Sequence, residues 1–137
     1  MYPPDLVAPM SKELNDVGVE SLTNADAVHR LFDKKEGTFL LVVNSVCGCA
    51  AANARPGVKI SLQNEKKPDH AYTVFAGVDT EATKIARDYM QPYPPSSPSI
   101  ALFKNGELVH FLERHHIEGR SAQIIADNLK MAYEHYC

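Results

Sequence analysis

Two apolar segments restrict the fold more than any other feature of this sequence. Residues 38–43 read TFLLVV and residues 71–78 read AYTVFAGV, and both are continuous apolar runs of strand length. Such runs are typical of parallel strands buried on both faces, whereas a half-exposed strand alternates polar and apolar residues. Because a helical segment follows each run, the sequence predicts two β-α-β units and therefore a sheet with a parallel core.

A hairpin follows these units. Residues 100–104 and 107–112 predict two further strands, and only Asn105-Gly106 lies between them. Asn-Gly between two apolar segments is the strongest short signal for a β-hairpin. The hairpin adds an antiparallel edge, so the predicted sheet is mixed.

Helices are predicted where apolar residues recur at helical spacing. The predicted segments are residues 5–17, a helix capped by Thr23 and stopped at Gly37, the segment after Cys49, a helix capped by Asp79 or Thr80, and a helix from about Ser121. Pro56 is expected to bend the segment after Cys49. The buried face predicted for that segment consists of Ala51, Ala54, Val58 and Leu62. This order of elements predicts an α/β, thioredoxin-like fold, with a mixed central sheet, helices on both faces and an extra N-terminal helix.

Composition narrows the class of protein. The chain has 137 residues, of which 45% are hydrophobic and 23% charged, so residues 1–137 are expected to form a single thioredoxin-like domain. A net charge of -3, with acids and bases interspersed, offers no basic surface for a nucleic acid. No apolar run approaches the roughly 20 residues of a membrane span, and no signal-peptide pattern begins the chain. We therefore expect a cytoplasmic protein without nucleic-acid or membrane partners.

The three cysteines point to chemistry, because an odd number in such a chain does not suggest a disulfide scaffold. Cys47 lies between a predicted strand and a helix, where the positive end of the helix dipole lowers a thiol pKa. Cys49 follows in the first turn, close enough to attack a mixed disulfide formed on Cys47. Gly48 has no Cβ to restrict the tight backbone that a disulfide between such close cysteines requires. The motif predicts a redox-active centre.

Two other hypotheses stay open for these cysteines. Close thiols bind metal ions and iron-sulfur clusters, so the chain can also be read as a metal-binding or metal-delivery module with Cys137 as a further ligand. The histidines add little support, because His110 is expected at or near the surface and the adjacent His115 and His116 are expected to point in different directions. No metal site is therefore assigned. A thioredoxin-like adaptor that binds partners without turnover is the third hypothesis.

A resemblance to thioredoxins sharpens the prediction. Residues 98–111, PSIALFKNGELVHF, are similar to the thioredoxin segment that begins with a cis-proline and continues through the last two strands. The resemblance implies a cis peptide bond between Ser97 and Pro98. It also implies that both residues lie beside the cysteines, where the backbone pairs with an extended polypeptide substrate. Ordinary thioredoxins have two residues between their cysteines, so the Cys-Gly-Cys spacing departs from them.

The Cys-Gly-Cys spacing matches the bacilliredoxins, a bacterial thioredoxin-like family. Residues 44–57, NSVCGCAAANARPG, closely resemble the signature of that family. The likeness extends to LVAPMSKEL, TVFAGVDTEAT, PPSSPSIAL, VHFLERHHIEG and the terminal Cys137. The resemblance implies that Cys47 attacks a mixed disulfide between a client protein and bacillithiol, a low-molecular-weight thiol, and that the client leaves reduced. Cys49, or another thiol, then releases the small thiol from Cys47.

The same resemblance implies partners and further site residues. The expected partners are S-thiolated client proteins and bacillithiol, which is a co-substrate, and no bound cofactor is expected. Weak disulfide isomerase or reductase activity is also implied. The expected substrate-binding residues are Gly48, Arg55, Ser97 and Pro98. Arg55 is expected either to stabilise the thiolate or attract an anionic small thiol, or to be a solvated helix residue.

Overall fold

The computed structural model describes residues 2–137, which form one five-stranded mixed sheet with helices on both faces. The strands are β1 (Glu20–Ser21), β2 (Thr38–Asn44), β3 (His70–Phe75), β4 (Ser99–Lys104) and β5 (Glu107–Leu112). The helices are α1 (Pro4–Asn15), α2 (Ala25–Asp33), α3 (Arg55–Ser61), α4 (Thr80–Asp88), α5 (Arg114–Ile117) and α6 (Ala122–Tyr136). A π-helical turn, Ala50–Ala54, leads directly into α3. None of the helices in this described range is long and apolar enough to cross a membrane.

The strand order is β1-β3-β2-β4-β5, and β2 lies at its centre. β2 is parallel to β3, which confirms the first predicted β-α-β unit. The second predicted unit is wrong, because the chain passes through α4 to β4, which pairs with β2 in the antiparallel direction. β5 closes the sheet as an antiparallel edge. All seven residues of β2 are buried, which explains the continuous apolar run of that strand. The two-residue β1, which pairs in parallel with β3, was not predicted because so short a strand has no periodicity to detect.

Side chains of β2 alternate between two cores. Leu40 and Val42 belong to the core formed with α1, α3 and α6, where the largest fully buried side chain is Tyr133. Leu41 and Val43 belong to the second core, formed with α2 and α4. The predicted layers of helices on both faces are therefore confirmed, and the buried sheet gives the end of β2 a rigid support.

Several predicted element ends were wrong. Asn24, not Thr23, caps α2, because its side chain accepts the hydrogen bond from the Ala27 backbone N–H at 2.9 Å. That helix ends at Asp33 rather than continuing to Gly37. β3 stops at Phe75, ahead of a turn in which Gly77 adopts a φ of +84°. Each of these ends is set by side-chain capping or turn geometry, which apolar spacing does not encode.

The helix that follows the cysteines differs in phase from the prediction. The Arg55 N–H donates to the carbonyl of Ala50, five residues back, so this turn is wider than an α-helical turn. Ala50 is consequently buried in place of the predicted Ala51, which is exposed. Pro56, which has no N–H to donate, lies in the first turn of α3 immediately after the wide turn. The expected distortion is present, but as a π-helical turn ahead of the proline.

Two local predictions from the C-terminal half are confirmed. Asn105 and Gly106 have φ angles of 53° and 83°, the left-handed values that a tight Asn-Gly hairpin turn requires. The peptide bond between Ser97 and Pro98 is cis. A second cis bond, before Pro92, was not predicted, and neither was the short α5.

Candidate active site

The cysteine pair lies where β2 ends and the following helix begins. The carbonyl of Cys47 accepts hydrogen bonds from the N–H groups of Ala50, at 3.1 Å, and Ala51, at 3.3 Å. Cys47 therefore stands at the N-terminal end of the helical segment, where the free N–H groups give a positive potential. Both Cys47 and Cys49 are free thiols and half-buried, and the intervening Gly48 is exposed. The arrangement leaves a reactive pair open to a macromolecular substrate.

Hydrogen bonds prepare Cys47 as a thiolate. Partial burial by itself raises the pKa of the Cys47 thiol, but hydrogen bonds from Cys49, from the Ser45 side chain and from the backbone of Ala50 and Cys49 outweigh it. The net result is a pKa below the ordinary value of a cysteine. Because a thiolate is the reactive form of cysteine, Cys47 is the stronger nucleophile of the pair.

Cys49 has the opposite shift. Burial, the hydrogen bond with Cys47 and the negative charge of the Cys47 thiolate all raise the pKa of Cys49. The positive charge of Arg114 opposes them without reversing the shift. Cys49 therefore stays protonated while Cys47 is a free thiolate, and the two close thiols have different chemical states.

Arg55 is buried and holds the residues that lead to Cys47. Its residue surface is only 3% exposed, and its Nε donates to a carboxylate oxygen of Glu13 on α1 at 2.9 Å. Its Nη1 donates to the Asn44 side-chain oxygen and to the Ser45 carbonyl, both at 3.0 Å. The prediction of a solvated helix residue is wrong, and the side chain lies under the segment that leads to Cys47 instead of facing solvent. Arg55 thus positions the active-site loop, and Glu13 balances its charge.

The extra N-terminal helix is part of this support. Besides Glu13, α1 contributes the carbonyl of Met10, which accepts a hydrogen bond from the Asn44 side-chain amide at 3.2 Å. The oxygen of the same amide accepts the Ser45 N–H at 2.9 Å. Since Asn44 is buried at the last position of β2, its amide links α1 to the residues just before Cys47.

The cis-proline segment lies next to the cysteine loop. β2 and β4 pair with Val43 opposite Ser99, so an extension of the same register brings Ser97 and Pro98 alongside the segment that precedes Cys47. Pro98 is buried and Ser97 is half-buried. The structure therefore brings the two residues that the sequence singled out to the same end of the sheet as the cysteines.

Arg114 is a site residue that the sequence reasoning missed. Its backbone N–H donates to the Ser96 hydroxyl and its Nη1 to the carbonyl of Ser97, both at 3.3 Å. Its charge lowers the pKa of Cys49. Its own pKa is raised first by the hydrogen bond to Glu118 and then by the negative charges of Cys49 and Cys47. Strand topology could have predicted this position of Arg114. In an antiparallel hairpin β5 ends beside the start of β4, where Ser97 lies, and Arg114 follows β5 directly.

The described residues do not support the metal hypothesis. Cys137, proposed as a further ligand, lies beside Thr38, at the first residue of β2, whereas Cys47 follows the last. A seven-residue strand rises about 3.3 Å per residue, so roughly 20 Å separates the two ends. Cys137 therefore cannot join Cys47 and Cys49 around one ion within this chain.

One of the two adjacent histidines, His116, caps α5 together with Glu113. The rings of His115 and His116 lie 4.0 Å apart, so the prediction that they point in different directions was wrong, and Glu113 completes a group with metal-ligand chemistry. However, the His116 Nδ1 accepts the Glu113 N–H at 3.0 Å, while the Glu113 carboxylate accepts the His116 N–H. This capping box engages one ring nitrogen of His116 and the Glu113 carboxylate in hydrogen bonds within the protein. The half-buried His110 pairs with Asn128 at 2.6 Å.

Comparisons with known proteins agree with this site. The sequence model of a family described as Disulphide isomerase matches residues 2–137. A bacilliredoxin of Cytophaga hutchinsonii is 62% identical over 134 residues, which are 98% of this chain and 98% of the relative. A bacilliredoxin of Salinibacter ruber is 53% identical over 138 residues, covering 99% of this chain and 81% of the relative.

A comparison with solved structures concerns the fold. The structure of reduced Schistosoma mansoni thioredoxin pre-protein is similar with a TM-score of 0.58 and 15% identity, over 87% of this chain and 98% of that chain. At this identity the likeness concerns the fold alone. The thioredoxin-like fold predicted from the order of elements is confirmed.

Proposed function

The chain belongs to the bacilliredoxin family of thiol-disulfide oxidoreductases, and from that premise we propose that it removes bacillithiol, or a similar small thiol, from mixed disulfides on client proteins. The observation that carries the proposal is the pair of free, half-buried thiols at the start of the helical segment, with the pKa of Cys47 lowered and that of Cys49 raised. A dethiolating enzyme needs one thiolate for attack and a second thiol that stays inactive until the first has reacted. Cys47 and Cys49 meet these two requirements in that order.

The first step is an exchange at sulfur. The Cys47 thiolate attacks the sulfur of the small thiol in the mixed disulfide, and a new bond forms between Cys47 and that sulfur. The bond between the small thiol and the client breaks, and the client sulfur leaves as a thiolate that takes up a proton. The client is reduced, the small thiol stays on Cys47, and no other oxidant or reductant is needed.

The second step follows from the change in charge. Once Cys47 carries the small thiol, it is neither a thiolate nor an acceptor of the hydrogen bond from Cys49, so two of the causes that raise the pKa of Cys49 disappear. Burial remains, and Arg114 still lowers the pKa. Cys49 is then deprotonated more readily, attacks the sulfur of Cys47 and expels the small thiol as a thiolate. The protein ends as a Cys47–Cys49 disulfide, which an external thiol must reduce before the next turnover.

Neighbouring residues supply the binding surface in this proposal. Gly48 presents no side chain over the thiols, and a Cβ there would meet nothing within 4 Å, so the approach is open. Ser97 and Pro98 offer backbone for an extended client segment next to Cys47. Arg55 acts indirectly, by holding the Ser45 carbonyl.

Bacillithiol is a co-substrate of the proposed reaction, and no bound cofactor takes part. We assign the reaction to the cytoplasm, where small thiols keep cysteines reduced.

The same pair of thiols also supports weak isomerase or reductase activity. A Cys47 thiolate that attacks one sulfur of a protein disulfide forms a mixed disulfide with that protein by the same exchange. Attack by Cys49 completes a reduction, whereas attack by another cysteine of the client completes an isomerisation. Both reactions use the exposed face around Gly48.

The test uses the full chain, reduced and kept anaerobic. One client protein with a single cysteine is prepared with bacillithiol, glutathione or free cysteine as its mixed-disulfide partner, and intact-mass spectrometry follows client and enzyme. We expect the client to lose bacillithiol fastest, while the enzyme becomes lighter by two hydrogens as its disulfide closes. Clients that keep every small thiol, or an enzyme that accumulates the client itself as a mixed disulfide, would refute the proposal.

A further inference from the structure

Arg114 lies at the edge of the active site with most of its hydrogen-bonding capacity unused. The guanidinium carries five N–H donors. Nε donates to a carboxylate oxygen of Glu118 at 3.2 Å, and Nη1 donates to the Ser97 carbonyl at 3.3 Å. Within residues 2–137 the other three N–H donors have no partner, and the side chain is 46% exposed. The free donors are one N–H of Nη1 and both N–H groups of Nη2, so donors on two different nitrogens remain available to an anion.

The carboxylate that pairs with Arg114 does not block this capacity. Glu118 is one helical turn away and its side chain is 61% exposed. Exposed ion pairs at this spacing contribute little, because water and salt screen them and two long side chains must be ordered. Glu118 orients the guanidinium through Nε and leaves the outer edge of the group to another anion.

Arg114 contacts the cis-proline segment and interacts through its charge with both thiols. Ser97, which it contacts, precedes Pro98 and lies alongside the segment leading to Cys47. The positive charge of Arg114 lowers the pKa of Cys49, and the negative charge of each thiol acts back on the guanidinium. Arg55, the other arginine considered for this role, is buried and neutralised by Glu13. An anionic group carried by a small thiol on Cys47 therefore has one accessible guanidinium nearby.

We propose that Arg114 is a specificity-determining residue that binds a carboxylate of the small thiol during its transfer from the client to Cys47. The substrate class is low-molecular-weight thiols that carry a carboxylate, since a planar guanidinium binds that group with two parallel hydrogen bonds. The inference rests on the proposed dethiolation. It adds that charge on the small thiol, and not only its sulfur, determines how fast it is removed.

The experiment compares three small thiols on one client cysteine. The client carries 3-mercaptopropionate, which is anionic, 2-mercaptoethanol, which is neutral, or cysteamine, which is cationic. All enzymes have the background substitution Cys49→Ala, so that only transfer to Cys47 is measured and the effect of Arg114 on Cys49 plays no part. Because the Cys49→Ala enzyme transfers only one small thiol, the enzyme is kept in excess over the client, and single-turnover release of the client thiol gives a maximal rate and a half-saturating enzyme concentration for each probe.

Arg114→Gln is expected to raise the half-saturating concentration for the mercaptopropionate probe about tenfold, the loss of one charge-assisted contact, with a change below about twofold for the mercaptoethanol probe. Arg114→Lys keeps the charge but not the fork of donors and should recover part of the loss. Arg30→Gln removes the same charge from the exposed face of α2, which packs on the other side of β2 from α3 and α6, and serves as the matched control.

The possible results separate the role of Arg114 from dethiolation by Cys47. Equal losses for the anionic and neutral probes, or no loss in Arg114→Gln, would overturn the inference while dethiolation itself stands. Failure of the Cys49→Ala enzyme with unchanged Arg114 to release any of the three probes would count against the proposed function instead. A gain with the cysteamine probe in Arg114→Gln, from relief of like-charge repulsion, supports the inference.

Discussion

The hydroxyl of Ser45 accepts a hydrogen bond from the backbone N–H of Cys47 at 3.0 Å, and the same side chain stabilises the Cys47 thiolate. Ser45 is in turn held through its carbonyl by the buried Arg55. A short chain of hydrogen bonds therefore connects a buried ion pair with the reactive sulfur. Reactivity of Cys47 therefore depends on this support as well as on its position at a helix end.

Ser45→Ala is expected to raise the pKa of Cys47, because the thiolate loses one of its hydrogen-bond donors while burial still opposes ionisation. The pH at which alkylation of Cys47 by iodoacetamide reaches half its maximal rate should increase. Ser121→Ala is a suitable control, since Ser121 caps α6 and its loss costs about 1 kcal/mol without touching the thiols. An unchanged alkylation profile in Ser45→Ala would contradict the role given to this hydroxyl.

Cys47→Ala is expected to lower the pKa of Cys49. The substitution removes the hydrogen bond with Cys47 and the negative charge of its thiolate, and Arg114 continues to favour the ionised form. Alkylation of Cys49 in this variant should therefore begin at lower pH than alkylation of Cys49 in the unsubstituted chain, as read by peptide mass spectrometry. If Cys49 keeps its original profile, the ordered activation of the two thiols is wrong.

Arg55→Met should destabilise the fold by about 3 kcal/mol, because Glu13 loses its buried cation and is left with the half-exposed Lys59 at 3.5 Å, and the oxygens of Asn44 and Ser45 lose their donor. Urea denaturation followed by circular dichroism gives the free energy of unfolding. Arg30→Met changes an exposed arginine and should stay within about 0.5 kcal/mol. A small effect at Arg55, equal to that at Arg30, would mean that the buried network contributes no stability.

Two glycines close to the cysteines should respond differently to alanine. A Cβ on Gly57 would come within 2.7 Å of the Ile125 side chain on α6, so Gly57→Ala should cost about 1–3 kcal/mol through overpacking. Gly48 has open space around its Cβ position and no positive φ, so Gly48→Ala should leave the stability of the reduced protein nearly unchanged. Thermal unfolding of the reduced proteins measures both. Equal melting temperatures for the two variants would argue against the close contact between α3 and α6.

Local signals in the sequence were sufficient for much of this architecture. The run TFLLVV is buried because its strand is central, and Asn105-Gly106 has the backbone angles its composition predicts. The site position of Cys47 follows from the junction between a strand and a helix. These features depend on residues that are neighbours in the chain, which is why periodicity and turn composition reveal them.

The missed features depend on contacts between distant parts of the chain. Arg55 is close to the cysteines in sequence, but the wide turn before it directs its side chain toward Glu13 and the end of β2. Arg114 is far from the cysteines in sequence and reaches them only because β4 and β5 bring their ends together. Which arginine faces the thiols is therefore a property of helix phase and strand topology.

Intact-mass spectrometry of the Cys47→Ala and Cys49→Ala variants, after anaerobic incubation with a bacillithiol-modified client, shows which of the two thiols attacks first. Cys49→Ala should gain one bacillithiol on Cys47 while the client becomes reduced, because the first exchange proceeds and the second cannot. Cys47→Ala should gain nothing and leave the client modified. Full removal of bacillithiol by Cys47→Ala, with the small thiol recovered on Cys49, would contradict the assignment of Cys47 as the attacking thiol.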